Sequence, residues 1–406
     1  MDATGEDHGD RDSPAPFRRL VFYIPGYDPF PARRYREIYR REGAAQAAVS
    51  GYRLAIRPRA GSGYGWHVSA VIGRPAETEI EVLVWSDLVK GSMQPGVAGT
   101  YALLVRTAWL YLASGALRRL VGLRKGPMIA ALYPAVALIL QALLALGLAW
   151  GMLRLAAPLP WGLGWGLAAL VAVGVLEGFR QLDRYLLVYY LMQDYGYATA
   201  ERGAWPPDLA ARLDHFRARL HGAMLSGVDE VLLVGHSSGV QLGVTVLADL
   251  IRQGLPPGAP ALGFLSLGQA VPMVSFLPRA TRLRGDLAFL SAASQVTWVD
   301  VSAPGDGCSY ALCDPVAVTG VAPPDRRWPL VLSAAFSQTL RPETWKALKR
   351  RYFRLHFQYI HAFDRPGDYD YFAITAGPVT LADRFRGRAA SASRITRACS
   401  PYRDIA

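Results

Sequence analysis

Two long charge-free runs decide most of what this chain can become. Residues 126–153 carry no charged side chain between Lys125 and Arg154, and residues 155–176 carry none between Arg154 and Glu177. An α-helix rises 1.5 Å per residue, so about twenty residues cross a 30 Å hydrocarbon layer. Both runs are long enough. A helix lying on a soluble domain keeps a polar face, and these runs have none to offer. The predicted element is a transmembrane hairpin, with helices over about residues 127–153 and 159–179. Between them, Ala157-Pro158-Leu159-Pro160 reads as a tight turn, with Trp150, Trp161 and Trp165 at headgroup level.

Basic residues orient the hairpin. Arg118, Arg119, Arg124 and Lys125 precede the first run, Arg180 and Arg184 follow the second, and the far turn holds only Arg154. Short loops rich in Lys and Arg stay cytoplasmic. A two-span hairpin returns the chain to the side it left, so both termini and the remaining chain are expected in the cytoplasm, at an inner or plasma membrane. The neighbouring stretches 100–120 and 181–197 are apolar and aromatic, but charges interrupt them. They read as helices lying in the interface or covering a soluble domain.

Composition narrows the remainder. The 406 residues carry a formal charge of +12 and are 51% hydrophobic, which excludes an intrinsically disordered chain. No Lys/Arg-rich run or nucleic-acid motif stands out, so the charge points to an anionic membrane surface and lipid partners rather than nucleic acid. Residues 1–16 are acidic and polar and lack the apolar stretch of a secretory signal; they read as a disordered tail. Cys308, Cys313 and Cys399 are then expected as reduced thiols. The Cys308/Cys313 spacing has no second pair, so no metal site is expected.

Outside the hairpin the pattern is that of an α/β domain. Residues 20–26, 52–58, 65–73 and 79–87 are strand candidates, and 32–42 reads as a basic helix. Gly61-Ser62-Gly63-Tyr64-Gly65 is a hairpin turn rather than a phosphate loop, because no helix follows it. After residue 201 an amphipathic helix, a buried strand, another helix and two further strands alternate, as in a mostly parallel sheet with helices on both faces. The organisation is therefore a first domain part over 17–99, a membrane insertion over 100–200 and a second domain part over 201–385. A flexible basic tail is expected over 386–406.

Gly235-His236-Ser237-Ser238-Gly239 follows the apolar run Val231–Val234 and opens the helical pattern that begins at Val240. G-x-S-x-G in a strand–turn–helix setting places a serine on a sharp turn with its hydroxyl exposed. Ser237 is the nucleophile candidate.

On this motif and its context the chain resembles the α/β-hydrolase superfamily, within it the lipase- and esterase-like members whose elbow reads GHSxG. The resemblance covers roughly 17–90 and 226–380, and the hairpin lies outside it. It implies the chain order Ser, Asp or Glu, then His. Only His356 and His361 follow Ser237; His356 leads because the chain turns back after the basic helix over 341–353. His236 is implied to be a positioning residue. The acid is implied to lie in the loop after a later strand: Asp306 leads, with Asp314 the alternative and Asp300 inside the strand. The resemblance further implies an oxyanion hole from the N–H groups of Ser238 and Tyr27, with Pro25 standing where many lipases have histidine. The implied activity is a carboxylic ester hydrolase working through Ser237, His356 and Asp306 on an acyl ester, thioester or lipid ester, with no cofactor. An acyltransferase with the same triad and an inactive membrane scaffold are the alternatives.

Overall fold

The computed structural model describes residues 15–59, 63–93, 96–160 and 162–406. Nearly all of the acidic 1–16 segment, part of the 61–65 turn and Trp161 lie outside the described residues. Strands β1 (Phe17–Ile24), β2 (Arg53–Pro58), β3 (Tyr64–Ile72) and β4 (Arg74–Val82) precede the apolar hairpin. Strands β5 (Glu230–His236), β6 (Ala261–Leu267), β7 (Thr297–Ser302) and β8 (Leu330–Ser333) follow it. They form one eight-stranded sheet in the order β2-β3-β4-β1-β5-β6-β7-β8. Only β3 runs against its neighbours; the β4-β1-β5-β6-β7-β8 stretch is parallel throughout.

Strand periodicity explains why the sheet is covered on both faces. In β5, Val231 and Leu233 face one core while Leu232 and Val234 face the other. On the first face lie the helices Pro207–Ala223, Gly239–Gln253 and Thr281–Ala292. Leu209, Leu213, Phe216 and Leu220 line one side of Pro207–Ala223 at helical spacing and are buried there. The helix Arg33–Ser50 and the short helix Tyr371–Ala376 cover the second face. A parallel sheet buried on both faces reads as unbroken apolar runs, which is how Val231–Val234 reads.

The apolar hairpin is two helices, Lys125–Leu155 and Leu163–Gln181, both long and apolar enough to cross a membrane. Only 22% and 11% of their most apolar windows are buried, so neither serves as a core helix for this chain. Ile139, Leu140, Leu143, Leu170 and Val173 are exposed along them. The foot of the first helix is the exception. Arg124 donates through Nε to the Ala311 carbonyl at 2.8 Å, and Met128 is buried with Phe276 and Tyr310. Arg118, Arg119, Lys125, Arg180 and Arg184 are exposed at the same end of the hairpin. The expected flanking helices are Val97–Ala113 and Val188–Thr199, and they pack on each other and on the first apolar helix.

Two expectations need correction. The basic segment 341–353 is not one helix: it divides into Pro342–Leu348 and Tyr352–His356, and Arg351 between them has non-helical angles of −101° and 71°. That break lets Leu355 and His356 turn inward and be buried. Residues 386–406 are not a loose tail. Ile395 exchanges backbone hydrogen bonds with Leu312 and Asp314, Cys399 N–H donates to Val318, and the Asp404 carbonyl and carboxylate receive the buried Arg284 guanidinium. Strand β8 and the helix Thr281–Ala292 were not anticipated.

Candidate active site

Ser237 sits where β5 ends and the helix Gly239–Gln253 begins, and its backbone adopts φ 56°. A non-glycine residue in this left-handed region costs about 1–2 kcal/mol, so the surrounding structure must impose it. Two glycines allow that. A Cβ on Gly239 would lie 2.3 Å from the Ile24 carbonyl oxygen and 2.7 Å from that of Pro25, and one on Gly235 would lie 2.9 Å from Val240 Cα. All of these are backbone atoms, so only glycine fits. The turn is closed by the Ser237 N–H donating to Leu267 O at 2.9 Å. It is G-x-S-x-G geometry that brings the strand, the helix and the Ile24–Tyr27 segment this close.

His356 and Asp306 meet. His356 Nδ1 lies 2.8 Å from Asp306 Oδ2, and both side chains are buried. The carboxylate takes two further bonds: Tyr359 donates through its hydroxyl to Oδ2 at 2.9 Å, and Cys308 through its N–H to Oδ1 at 2.9 Å. Burial alone would push the Asp306 carboxyl up. The adjacent His356, both as a charge and as a hydrogen-bond partner, together with the Cys308 N–H, outweighs burial and holds it below its ordinary value. An ionised Asp306 fixes the His356 proton on Nδ1 and leaves Nε2 as the acceptor.

Further groups hold the pair in place. The Tyr359 hydroxyl also accepts from the Ala303 N–H at 3.0 Å. Gly268, with φ 53°, passes so near that a Cβ there would strike the Tyr359 ring at 2.6 Å. His236 donates through Nε2 to the His356 carbonyl at 3.0 Å, and the two rings lie 4.8 Å apart. Burial, with His356 adding to it, pushes His236 down to about 3, so it stays neutral. His236 is thus a neutral strut under His356.

The other candidates lie elsewhere. Asp314 caps the helix Pro315–Thr319, accepting from the N–H groups of Val316 and Ala317, and pairs with Arg326 at 2.9 Å. Asp300 is buried in β7 and accepts from the Ser266 hydroxyl at 2.6 Å. His361 binds the Phe357 carbonyl through Nδ1 at 2.6 Å. None of these three lines the cavity described next.

Ser237, Ser238, Gly26, Tyr27 and His356 share the wall of a cavity of about 560 Å³. The foot of the first apolar helix supplies Gly126, Ile129, Ala130 and Tyr133 to the same wall, and Leu186, Leu187 and Tyr190 face it from the returning segment. Among the described residues the Ser237 hydroxyl makes no hydrogen bond, and serine–imidazole contacts often tighten only with substrate present. The Tyr27 N–H donates to Ser238 Oγ at 2.8 Å. Its loop is fixed by the Trp85 indole N–H on the Pro25 carbonyl and by the Tyr190 hydroxyl on the Tyr27 carbonyl. Gly26 presses on Ser237, with a Cβ position 3.0 Å from the serine Cβ.

Asp306, Cys308 and His356 also bring three ligand-type atoms within 4.8 Å of one another. Burial pushes the Cys308 thiol well up, aided by Asp306 and Asp194. A thiol held protonated is a poor metal ligand, and the imidazole and carboxylate are already bonded to each other.

Sequence reasoning passed over Tyr359, Gly268, Gln241 and Asp194. Asp194 did leave a signal, as a lone acid in an apolar, aromatic segment. Compared with known proteins, the chain matches no family model, no curated protein and no solved structure.

Proposed function

We propose that the protein is a membrane-anchored serine hydrolase of the α/β-hydrolase type that cleaves acyl esters reaching it from the bilayer. The observation that carries this reading is the convergence on one cavity wall of a strained Ser237 and of His356, whose Nδ1 is hydrogen-bonded to Asp306. In the proposed reaction Ser237 Oγ attacks the ester carbonyl while its proton passes to His356 Nε2. Asp306 stabilises the imidazolium without itself taking the proton. The developing oxyanion is met by the N–H groups of Tyr27 and Ser238; the Ser238 hydroxyl must first rotate off the Tyr27 N–H. His356 then protonates the leaving alcohol, and water, activated by the same imidazole, releases the acid from the acyl-enzyme.

The substrate class follows from the cavity wall. Ile129, Ala130 and Tyr133 belong to a helix whose continuation is long and apolar enough to lie in lipid. A chain leaving the bilayer along that helix reaches Ser237 without crossing water. In this reading the α/β unit sits on the side marked by Arg118, Arg119, Lys125, Arg180 and Arg184, which is the cytoplasmic side. The test is turnover of long-chain esters in nanodiscs by wild type and Ser237→Ala. Full retention of turnover in the variant would overturn the proposal.

A further inference from the structure

The 560 Å³ cavity is mostly apolar, and beside it, on the side of Tyr27 and Ser238, lies a small recess of about 30 Å³. The two spaces share Tyr27, Ser238, Asp194 and Gln241. A recess of about 30 Å³ exceeds the roughly 10–15 Å³ that holds one water molecule, so it has room for a small group such as a hydroxyl or hydroxymethyl. Two buried polar atoms on the lining of the recess lack partners among the described residues. Gln241 is 5% exposed and its Oε1 accepts nothing. The Tyr197 hydroxyl is buried and likewise unpaired. Asp194 lines both spaces as well. The remaining polar neighbours are committed: the Trp205 indole donates to Thr245 Oγ1 at 3.2 Å, and Ser238 Oγ accepts from Tyr27.

Unpaired buried polar atoms cost about 1–3 kcal/mol each, and two around one recess, beside the Asp194 carboxyl, mark a place where a ligand supplies the missing bonds. We infer that this recess is the specificity pocket of the enzyme and takes a hydroxyl group carried close to the scissile ester. That hydroxyl donates to Gln241 Oε1 and accepts from Tyr197 or from protonated Asp194. Burial pushes the Asp194 carboxyl up to about 7, with His356 pulling weakly against it. Near neutral pH a share of it is therefore protonated and can donate as well as accept, which suits a hydroxyl. The inference rests on the serine-hydrolase reading and adds the substrate class to it: acyl esters bearing a free hydroxyl, either on the alcohol part or on the acyl chain near the carbonyl.

The test uses the full-length protein in detergent and four probes: propyl decanoate, glyceryl monodecanoate, propyl 3-hydroxydecanoate and decanoylcholine. Wild type should favour one of the two hydroxyl esters over propyl decanoate by about 100-fold in kcat/KM, since sites built to bind a hydroxyl reject analogues lacking it strongly. Which hydroxyl ester wins tells whether the group belongs to the alcohol or to the acid. Gln241→Leu and Asp194→Leu should each bring that ratio down toward 1, whereas Asp194→Asn, which can still donate, should keep most of it. Equal kcat/KM for the hydroxyl esters and propyl decanoate in wild type would overturn the inference while leaving the hydrolase intact. So would a preference for decanoylcholine, or a ratio that survives in Gln241→Leu. If no ester is turned over, the hydrolase reading falls and the inference with it.

Discussion

Ser237 is held at φ 56°, and the strain can be separated from the chemistry. Both Ser237→Gly and Ser237→Ala remove the hydroxyl and should abolish turnover. Glycine adopts the left-handed region freely while alanine does not, so Ser237→Gly should be the more stable of the two by about 1 kcal/mol. Thermal unfolding of the two variants in detergent reads this, and equal midpoints would contradict it. Asp306→Asn should lower kcat by about 10⁴-fold, because an amide donor at that position turns the imidazole to the wrong tautomer; a loss under tenfold would remove Asp306 from the mechanism.

His236 gives a second test at this scale. Its proton is bound at an ordinary value of 6.5 in the unfolded chain and only at about 3 in the fold. The unfolded state takes the proton first, so stability falls as pH drops from about 6.5 toward 3. His236→Gln keeps a donor for the His356 carbonyl but cannot titrate. Its unfolding midpoint should vary less with pH between 6.5 and 4.5 than that of wild type, and identical profiles would contradict the account.

At the scale of elements, the strand–elbow–helix unit was legible because its signals are local. Val231–Val234 is an apolar run ended by glycine, and the helix after it repeats at helical spacing. Asp306 and His356 became candidates only through the resemblance, since what brings them together depends on loops after β7 and β8. Strand β8 was missed for a physical reason: four residues, Leu330–Ser333, are too few to show period-two alternation. The helix Thr281–Ala292 was missed because Arg284 and Asp286 are buried in it, paired with Asp404 and Arg252, which masks its apolar face. The C-terminal segment looked loose because small and basic residues dominate it, yet its order comes from backbone bonds to Leu312, Asp314 and Val318, which side-chain composition does not reveal. The elbow glycines offer the element-level prediction. Gly239→Ala should push the Ile24–Tyr27 loop off the helix start and cost about 1–3 kcal/mol of stability, read as a fall in the unfolding midpoint. An unshifted midpoint would mean the close approach is not real.

For the whole molecule, the proposed function makes the hairpin and the α/β unit one device, because the hairpin's foot helps to wall the cavity. A Cβ on Gly126 would lie 3.5 Å from Gly307 Cα, next to Asp306, and Ile129 and Ala130 wall the cavity a turn later. The exposed remainder of both helices has no partner among the described residues, and the proposal assigns it to lipid. Leu140 is 59% exposed near the middle of the first helix. Leu140→Arg should cost about 2.5–3.5 kcal/mol of insertion free energy and shift protein from the carbonate-resistant membrane fraction to the carbonate-released or soluble one. An unchanged distribution would argue that this helix does not span.

The central claim is that Ser237 is an activated nucleophile, and covalent labelling tests it most directly. Full-length protein in native membranes is treated with a fluorophosphonate probe and the modified residue is located by peptide mass spectrometry. The account predicts one adduct, on Ser237, that is absent in Ser237→Ala and strongly slowed in His356→Ala. A folded wild-type protein that takes no label, or a label that persists undiminished in Ser237→Ala, would contradict it.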